Sequence, residues 1–409
     1  MIKLKNRLEI YDVGDNMENK VKVHNPKILY IYICAMIGVL GMEAGGLQYN
    51  LLLIAKELGL SATQMGSVGS VQHIAHILIP LLFGGIGDKY GKKMIMILFG
   101  FSFSLGCLSI ILSNGFLLVA AGIFFVGAGY SMCESTGTSI LADMYQEEAS
   151  KYINWSQSIF SVGALISPFL SQWIVDGLGF NWRIFFAVLM VGYLLLSFWA
   201  MTLKFPPLPK QVQVEKEETA KKAVMSRDTK VKMGFLSVGI AVYAGMESGV
   251  GYFIGTHVSS VLGTEAYNSI TLSLFWLLMI PSRYLAGVLK TLPRKMLKLC
   301  YIGSAISIGM VIFMTNSIGL MIGYACAGFF FGPIWPLIMG EAGNLDPENS
   351  AKISGRMTGC CGLGGVIAPT AFGFFADHYS LSVSLAFIVV IILIGWMASL
   401  AYNRACKAQ

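Results

Sequence analysis

Three carboxylates and one guanidinium stand inside stretches of sequence that are otherwise almost free of charge: Glu43, Glu134, Glu247 and Arg283. A charged side chain at the centre of a lipid-spanning helix costs about 2.5–3.5 kcal/mol on insertion scales, so each is expected to have a task. A carboxyl in dry surroundings holds its proton and gives it up when water or a cation comes near. Three such groups could load and release protons as their exposure changes. An arginine stays charged and must find a partner. An acid in the other half of the chain, or in the run that holds Glu247, is the natural one, as a gate, a substrate clamp or a static bridge. Glu341 is a fifth charge, set near the end of its run. His73 and His76, three apart on one helix face beside Gln72, could relay a proton or be neutral and satisfied by hydrogen bonds.

The elements that must position these groups follow from composition. Of 409 residues, 55% are hydrophobic and only 12% charged, with mean hydropathy +0.67; soluble domains carry about 25% charged residues. The chain therefore needs the lipid bilayer as a solvent. Twelve apolar runs are long enough to cross it: 28–55, 62–86, 93–113, 115–144, 152–176, 182–203, 231–262, 268–289, 296–315, 318–343, 352–376 and 381–403. A Pro-rich and then charged segment, 204–230, parts them into six and six. The expected organisation is an N-terminal cytoplasmic segment 1–27, a six-helix half 28–203, a cytoplasmic linker 204–230, a second half 231–403 and a cytoplasmic tail 404–409.

Charge sets the orientation. With the N-terminus inside, only Lys56 and Arg183 of the 29 basic residues fall in outer loops, a bias that puts both termini in the cytoplasm. The net charge of +7 is then topology, and no nucleic-acid partner is expected. The polar N-terminus argues against a cleaved signal peptide, and the compact loops suggest a bacterial inner membrane. The eight cysteines form no CxxC pair and no Cys/His cluster, so neither a metal site nor a disulfide framework is expected. No nucleotide loop or catalytic triad is present. The reading is a protein that is not an enzyme, holds no cofactor and draws its energy from an ion gradient.

The halves echo one another. GMEAG at 41–45 matches GMESG at 245–249, an offset of 204, and GALISP at 163–168 resembles GGVIAP at 364–369, an offset of 201. Asp176 and Asp377 keep the second offset. The fold class expected is an all-α membrane protein of twelve transmembrane helices in two pseudo-symmetric six-helix halves, with a binding site at the midplane between them. Prolines inside the runs (Pro168, Pro281, Pro333, Pro336, Pro369) are expected to kink helices.

FGGIGDKYGKK at 83–93 lies between the second and third runs and carries Gly84, Asp88, Lys89, Gly91, Lys92 and Lys93. It resembles the signature loop of the major facilitator superfamily, G-x-x-x-D-R/K-x-G-R/K-R/K. The resemblance implies a gating loop in which Asp88 caps a helix end and latches the halves in the outward-facing state. The second-half counterpart, AGVLKTLPRK at 286–295, has Lys290 where the acid would stand, so the latch would be one-sided. The stretch 134–168, with Glu134, Asn154, Gln157 and Gly163-Ala164, resembles the fucose:proton symporter family. IPSRYLAGVL at 280–289 and the runs through 328–369 continue that likeness.

The resemblance implies a monomeric transporter that takes up a small sugar-like substrate together with a proton, by alternating access. Glu134 then carries the proton, with Glu43 and Glu247 as further coupling candidates or braces of broken helices near Gly45-Gly46 and Gly249-Gly251. Substrate contacts would come from Asn154 and Gln157, three apart on one face, from Gln48 with Asn50 beside it, and from Arg283. Tyr252, Trp276, Trp335 and Trp155 offer rings to stack on a sugar. The chain departs from the family at Gln48, where an acid is usual, and at Phe160, where a second amide occurs in some members. An apolar Phe160 also suits the alternative reading, a drug:proton antiporter. Against that reading, the antiporter pattern wants a glycine where Ser167 precedes Pro168, and its glycine pair is replaced by Ser171 and Gln172.

Overall fold

The computed structural model describes residues 25–83, 90–145, 148–205, 225–288, 293–345 and 350–407, almost all of them helical. The first half consists of α1 (Pro26–Leu58), α2 (Ala62–Phe83), α3 (Lys92–Ile111), α4 (Phe116–Tyr145), α5 (Ala149–Gln172), which runs on as a π-helical turn (Trp173–Gly177), and α6 (Arg183–Thr202). The second half consists of α7 (Arg227–Gly251), α8 (Ile254–Leu262), α9 (Asn268–Val288), α10 (Pro293–Val311), α11 (Ser317–Phe331), α12 (Ile334–Gly343), α13 (Ser350–His378) and α14 (Leu381–Lys407). α7 with α8, and α11 with α12, each make one crossing, so the chain crosses twelve times.

Local sequence sets the helix ends. Pro26 opens α1 at a position where its missing N–H costs nothing, and Gly59, with φ 63°, closes it in the left-handed conformation. Ser226 and Asn316 cap α7 and α11 by accepting from the N–H of Thr229 and Gly319. Eleven helices are long and apolar enough to cross a membrane. The twelfth crossing, α10, falls outside that set because Arg294, Lys295 and Lys298 load its first turns. Two expected runs are interrupted: the seventh at Tyr252–Phe253, between α7 and α8, and the tenth at Gly332–Pro333, between α11 and α12. α1 runs unbroken through Gly45-Gly46, so the expected break there is corrected; the second-half equivalent does break. Most of the 204–230 segment, residues 206–224, lies outside the described residues, as do residues 1–24.

Within each half the same pair of helices meets backbone to backbone. A Cβ on Gly41 would lie 2.0 Å from the Phe160 carbonyl oxygen and one on Gly45 2.2 Å from that of Ala164, which seats α1 on α5. In the second half a Cβ on Gly364 would lie 1.8 Å from the Ala241 oxygen, which seats α13 on α7. The halves then join through α2 against α13, where Gly66 faces the Pro369 oxygen at 2.0 Å and Gly373 the Ala62 oxygen at 2.1 Å.

One face of the bundle, here the far face, gathers the α1–α2, α5–α6, α8–α9 and α13–α14 loops; the near face gathers the ends of α2, α4, α6, α12 and α14. The far face is closed. Asp377 of α13 accepts from the N–H groups of Ala62 and Thr63, both at 2.8 Å, capping α2 of the other half. Lys56 pairs with Glu265, and Ser269 donates to Gln172, again across the halves. On α12 and α13, Cβ atoms built on Gly340, Gly355 and Gly359 would meet nothing within 4 Å, so no helix is seated on these glycines.

Valine at Gly364 should therefore wedge α13 off α7. Overpacking of this kind typically costs about 1–3 kcal/mol, and here the obstacle is backbone. The expected result is loss of the monodisperse, thermally cooperative species in detergent, whereas Gly192→Ala, at a site with open space around it, leaves the melting curve unchanged.

Candidate functional site

The crossings bring the ionisable groups of both halves round Tyr130 of α4, whose ionisable neighbours are Glu134, Glu43, Glu247 and Tyr252. The three glutamates have different surroundings. Glu43 is fully buried, and the Gln72 amide donates to both its oxygens at 3.2 and 3.0 Å. The other end of that amide accepts from the Tyr252 hydroxyl of the second half at 3.3 Å. Glu247 occupies the equivalent place in the repeat and accepts from the Tyr243 hydroxyl one turn away at 2.8 Å. Glu134 is half-buried, and among the described residues its hydrogen bond is the long 3.4 Å contact from Gln157. Cys361 of α13 lies within electrostatic reach of both Glu247 and Glu134, one from each half.

Among the described residues Arg283 makes no direct contact with a carboxylate, and the expected acid of the seventh run, Glu247, is reached through a tyrosine. Its Nε donates to the Gly332 carbonyl at 3.1 Å and its Nη2 to the Tyr243 hydroxyl at 3.4 Å. Glu341 takes no part in the site: it pairs with Arg294 at 2.9 Å and accepts from Tyr402 at 2.6 Å near the end of the bundle.

The expected substrate-binding residues divide. Gln48, Tyr252 and Trp276 are brought together, but inside the closed far half. They are 7%, 5% and 3% exposed, the Trp276 indole donates to Gln48 Oε1 at 2.9 Å, and Gln48 packs on Gly251. In this conformation they join the halves and do not line open space. Asn50 is occupied within its half, donating to the Gly46 carbonyl and accepting from Ser171. Trp335 and Trp155 are 43% and 51% exposed. Phe160 points between Trp276 and Tyr130, with ring centroids 6.2 and 6.4 Å away. Asn154 lies on α5, and its side chain falls outside the described residues.

His73 bonds Ser248 of the other half at 2.9 Å. The His76 ring lies against Tyr130, centroids 4.7 Å apart with planes tilted by 34°, and its buried Nε2 has no hydrogen-bond partner among the described residues. Of the loop motif, Gly84, Asp88 and Lys89 lie outside the described residues. Lys92 pairs with Asp143 and donates to Ser139 of α4, while Lys93 donates to the Met201 and Leu203 carbonyls at the end of α6. These contacts tie the loop into its own half. Among the described residues no group of three His, Cys, Asp or Glu could hold a metal ion.

Sequence reasoning missed Tyr243 and Tyr130, and noted Gln72 only beside the histidines. Tyr243 stands four residues before Glu247, the spacing that puts two side chains on one face. Its repeat equivalent is Val39, so the internal symmetry could not flag it.

The family model described as the Major Facilitator Superfamily matches residues 31–369 and again 236–405. The cis,cis-muconate transport protein of Acinetobacter baylyi is 22% identical over 405 aligned positions, covering 92% of this chain and 94% of that protein. The hexuronate transporter of Bacillus subtilis is 24% identical over 385, covering 86% and 88%. The crystal structure of the E. coli fucose:proton symporter, FucP, superposes with a TM-score of 0.63 at 16% identity, covering 92% of this chain and 98% of that one. At that identity the likeness establishes the fold.

Gln72→Leu strips Glu43 of its hydrogen-bond donor among the described residues and is expected to lower stability by about 1–3 kcal/mol, the cost of orphaning a buried polar group. The double variant Glu43→Leu/Gln72→Leu should lose much less than the two single changes added together. A double-mutant cycle on thermal unfolding in detergent reads the difference.

Proposed function

Because the chain belongs to the Major Facilitator Superfamily, a family of membrane transporters and not of enzymes, we propose that it takes up a small polar solute of sugar size together with a proton. The observation that carries this reading is Glu134. It is a half-buried carboxyl within the bundle, held among the described residues by one long hydrogen bond from Gln157, so in this reading it exchanges a proton with entering water and passes the change to an amide that touches substrate. Glu43, sealed beneath Gln72, suits a structural link better than a carrier. The relatives named for muconate and hexuronate, and the solved fucose:proton symporter, are all carriers of small polar solutes, which supports the substrate class.

The cycle follows from the two faces. With the far face closed, solute and proton leave toward the near side. Return requires the halves to rock until Asp377, Lys56 and Gln172 release their partners and the near walls meet. The excess of basic residues on the loops of the near face makes that face cytoplasmic in this reading, with both termini inside and the far face turned outward. The protein works as a monomer in a bacterial inner membrane.

Glu134→Gln is expected to abolish accumulation driven by a pH gradient in proteoliposomes while leaving exchange of labelled for unlabelled solute intact. A pH dye in the lumen checks the coupling directly. Solute binding lost with coupling preserved would remove Glu134 from this role.

A further inference from the structure

Arg283 has no carboxylate in direct contact among the described residues; the nearest acid on its network, Glu247, is reached through the Tyr243 hydroxyl. The other two arginines engaged in the described bundle sit on carboxylates: Arg183 on Glu57 and Arg294 on Glu341. Both lie near the ends of helices, where water also reaches. Arg283 lies within a spanning helix, half-buried, and its two partners are uncharged oxygens, the Gly332 carbonyl and the Tyr243 hydroxyl. A guanidinium carries five N–H donors, and two of these are used. The Nη1 group and the second Nη2 hydrogen, which form the end-on fork of the guanidinium, have no partner among the described residues.

The two bonds it does make orient that fork. Gly332 lies at the break between α11 and α12, so its carbonyl is released from regular helix bonding to hold Nε. Tyr243 is itself fixed by donating to Glu247, which leaves its oxygen to accept from Nη2. A cation held this way in a low-dielectric cavity lacks a contacting anion, and a fork of parallel N–H groups matches a carboxylate bidentately.

We infer that the solute carries a carboxylate, which docks on the free fork of Arg283 while its hydroxyl groups face Glu134 and Gln157 across the cavity. The substrate class is a small hydroxylated carboxylic acid, such as a sugar acid. This inference rests on the transport reading above. It also fixes the electrical character of the cycle. A neutral sugar travelling with one proton moves one positive charge, and a membrane potential of 100 mV would raise its accumulation about 50-fold. A monocarboxylate with one proton moves none.

The test uses the full chain in proteoliposomes with an imposed pH gradient, the membrane potential being set independently by potassium and valinomycin. The labelled probes are D-glucuronate and D-gluconate against D-glucose and L-fucose. The expected result is uptake of an acid at a rate and to a level unaffected by potential. Arg283→Lys should keep the charge, lose the fork and raise KM for the acid at least tenfold with kcat much less changed. A merely structural arginine would instead lower thermal stability and leave KM alone. Should the Arg283 variants fail to fold, Tyr243→Phe tests the same fork and should raise KM in the same direction. Uptake of glucose or fucose without either acid, rising with potential, would overturn the carboxylate assignment and leave proton-coupled transport standing. Failure of every probe to move would overturn both.

Discussion

The close approach of peptide backbones inside each half is the constraint on which the rest depends. In lipid the helices gain little from burying apolar side chains, because the surroundings are equally apolar, and association relies on packing and polar contacts. Gly41 and Gly45 on α1 and Gly364 on α13 have carbonyl oxygens where any Cβ would stand. Those contacts set the distance between α1 and α5, and between α7 and α13. They place Glu43 and Glu247 on the tightly packed helix of each pair.

On this common frame the two halves carry different chemistry. Glu43 is closed over by Gln72, which in turn accepts from Tyr252 of the second half. Glu247 faces Tyr243 and, through it, Arg283. One repeat position has become a polar brace between halves and the other part of a charged cavity wall. The difference lies in the neighbours, since residue 39 is valine where residue 243 is tyrosine. Among the described residues the arginine bonds neutral oxygens and Glu134 accepts one long hydrogen bond, so both keep capacity for a further partner.

The closed face shows how such a seal stays reversible. It is made of separate polar bonds at partly hydrated positions: a carboxylate capping a helix start, an ion pair, a hydroxyl on an amide. Exposed pairs of this kind contribute about 0–1 kcal/mol each. Their sum can hold one state without trapping it. Asp377 is the repeat partner of Asp176, yet only Asp377 caps a helix of the other half; on the opposite seam Gln172, one turn earlier, takes the contact with α9.

The sequence alone determined the membrane setting, the crossings, their division into two related sets and the family, because hydropathy runs, basic loops and repeated small-residue motifs are properties of consecutive residues. It also identified the ionisable groups, since a charge in an apolar run is visible without coordinates. It did not determine which groups meet. Arg283 was expected to meet an acid and bonds a tyrosine hydroxyl and a freed carbonyl; glycines and prolines pointed to interruptions near Gly249-Gly251 and Pro333, but not to the residues at which the helices end. Gln48, Tyr252 and Trp276 read as binding surface, and in this conformation they are buried between the halves. Periodicity places a side chain on a face of its own helix. Which helix that face meets, and whether the meeting is open or closed, is decided by packing between segments some two hundred residues apart and by the conformation the two halves share.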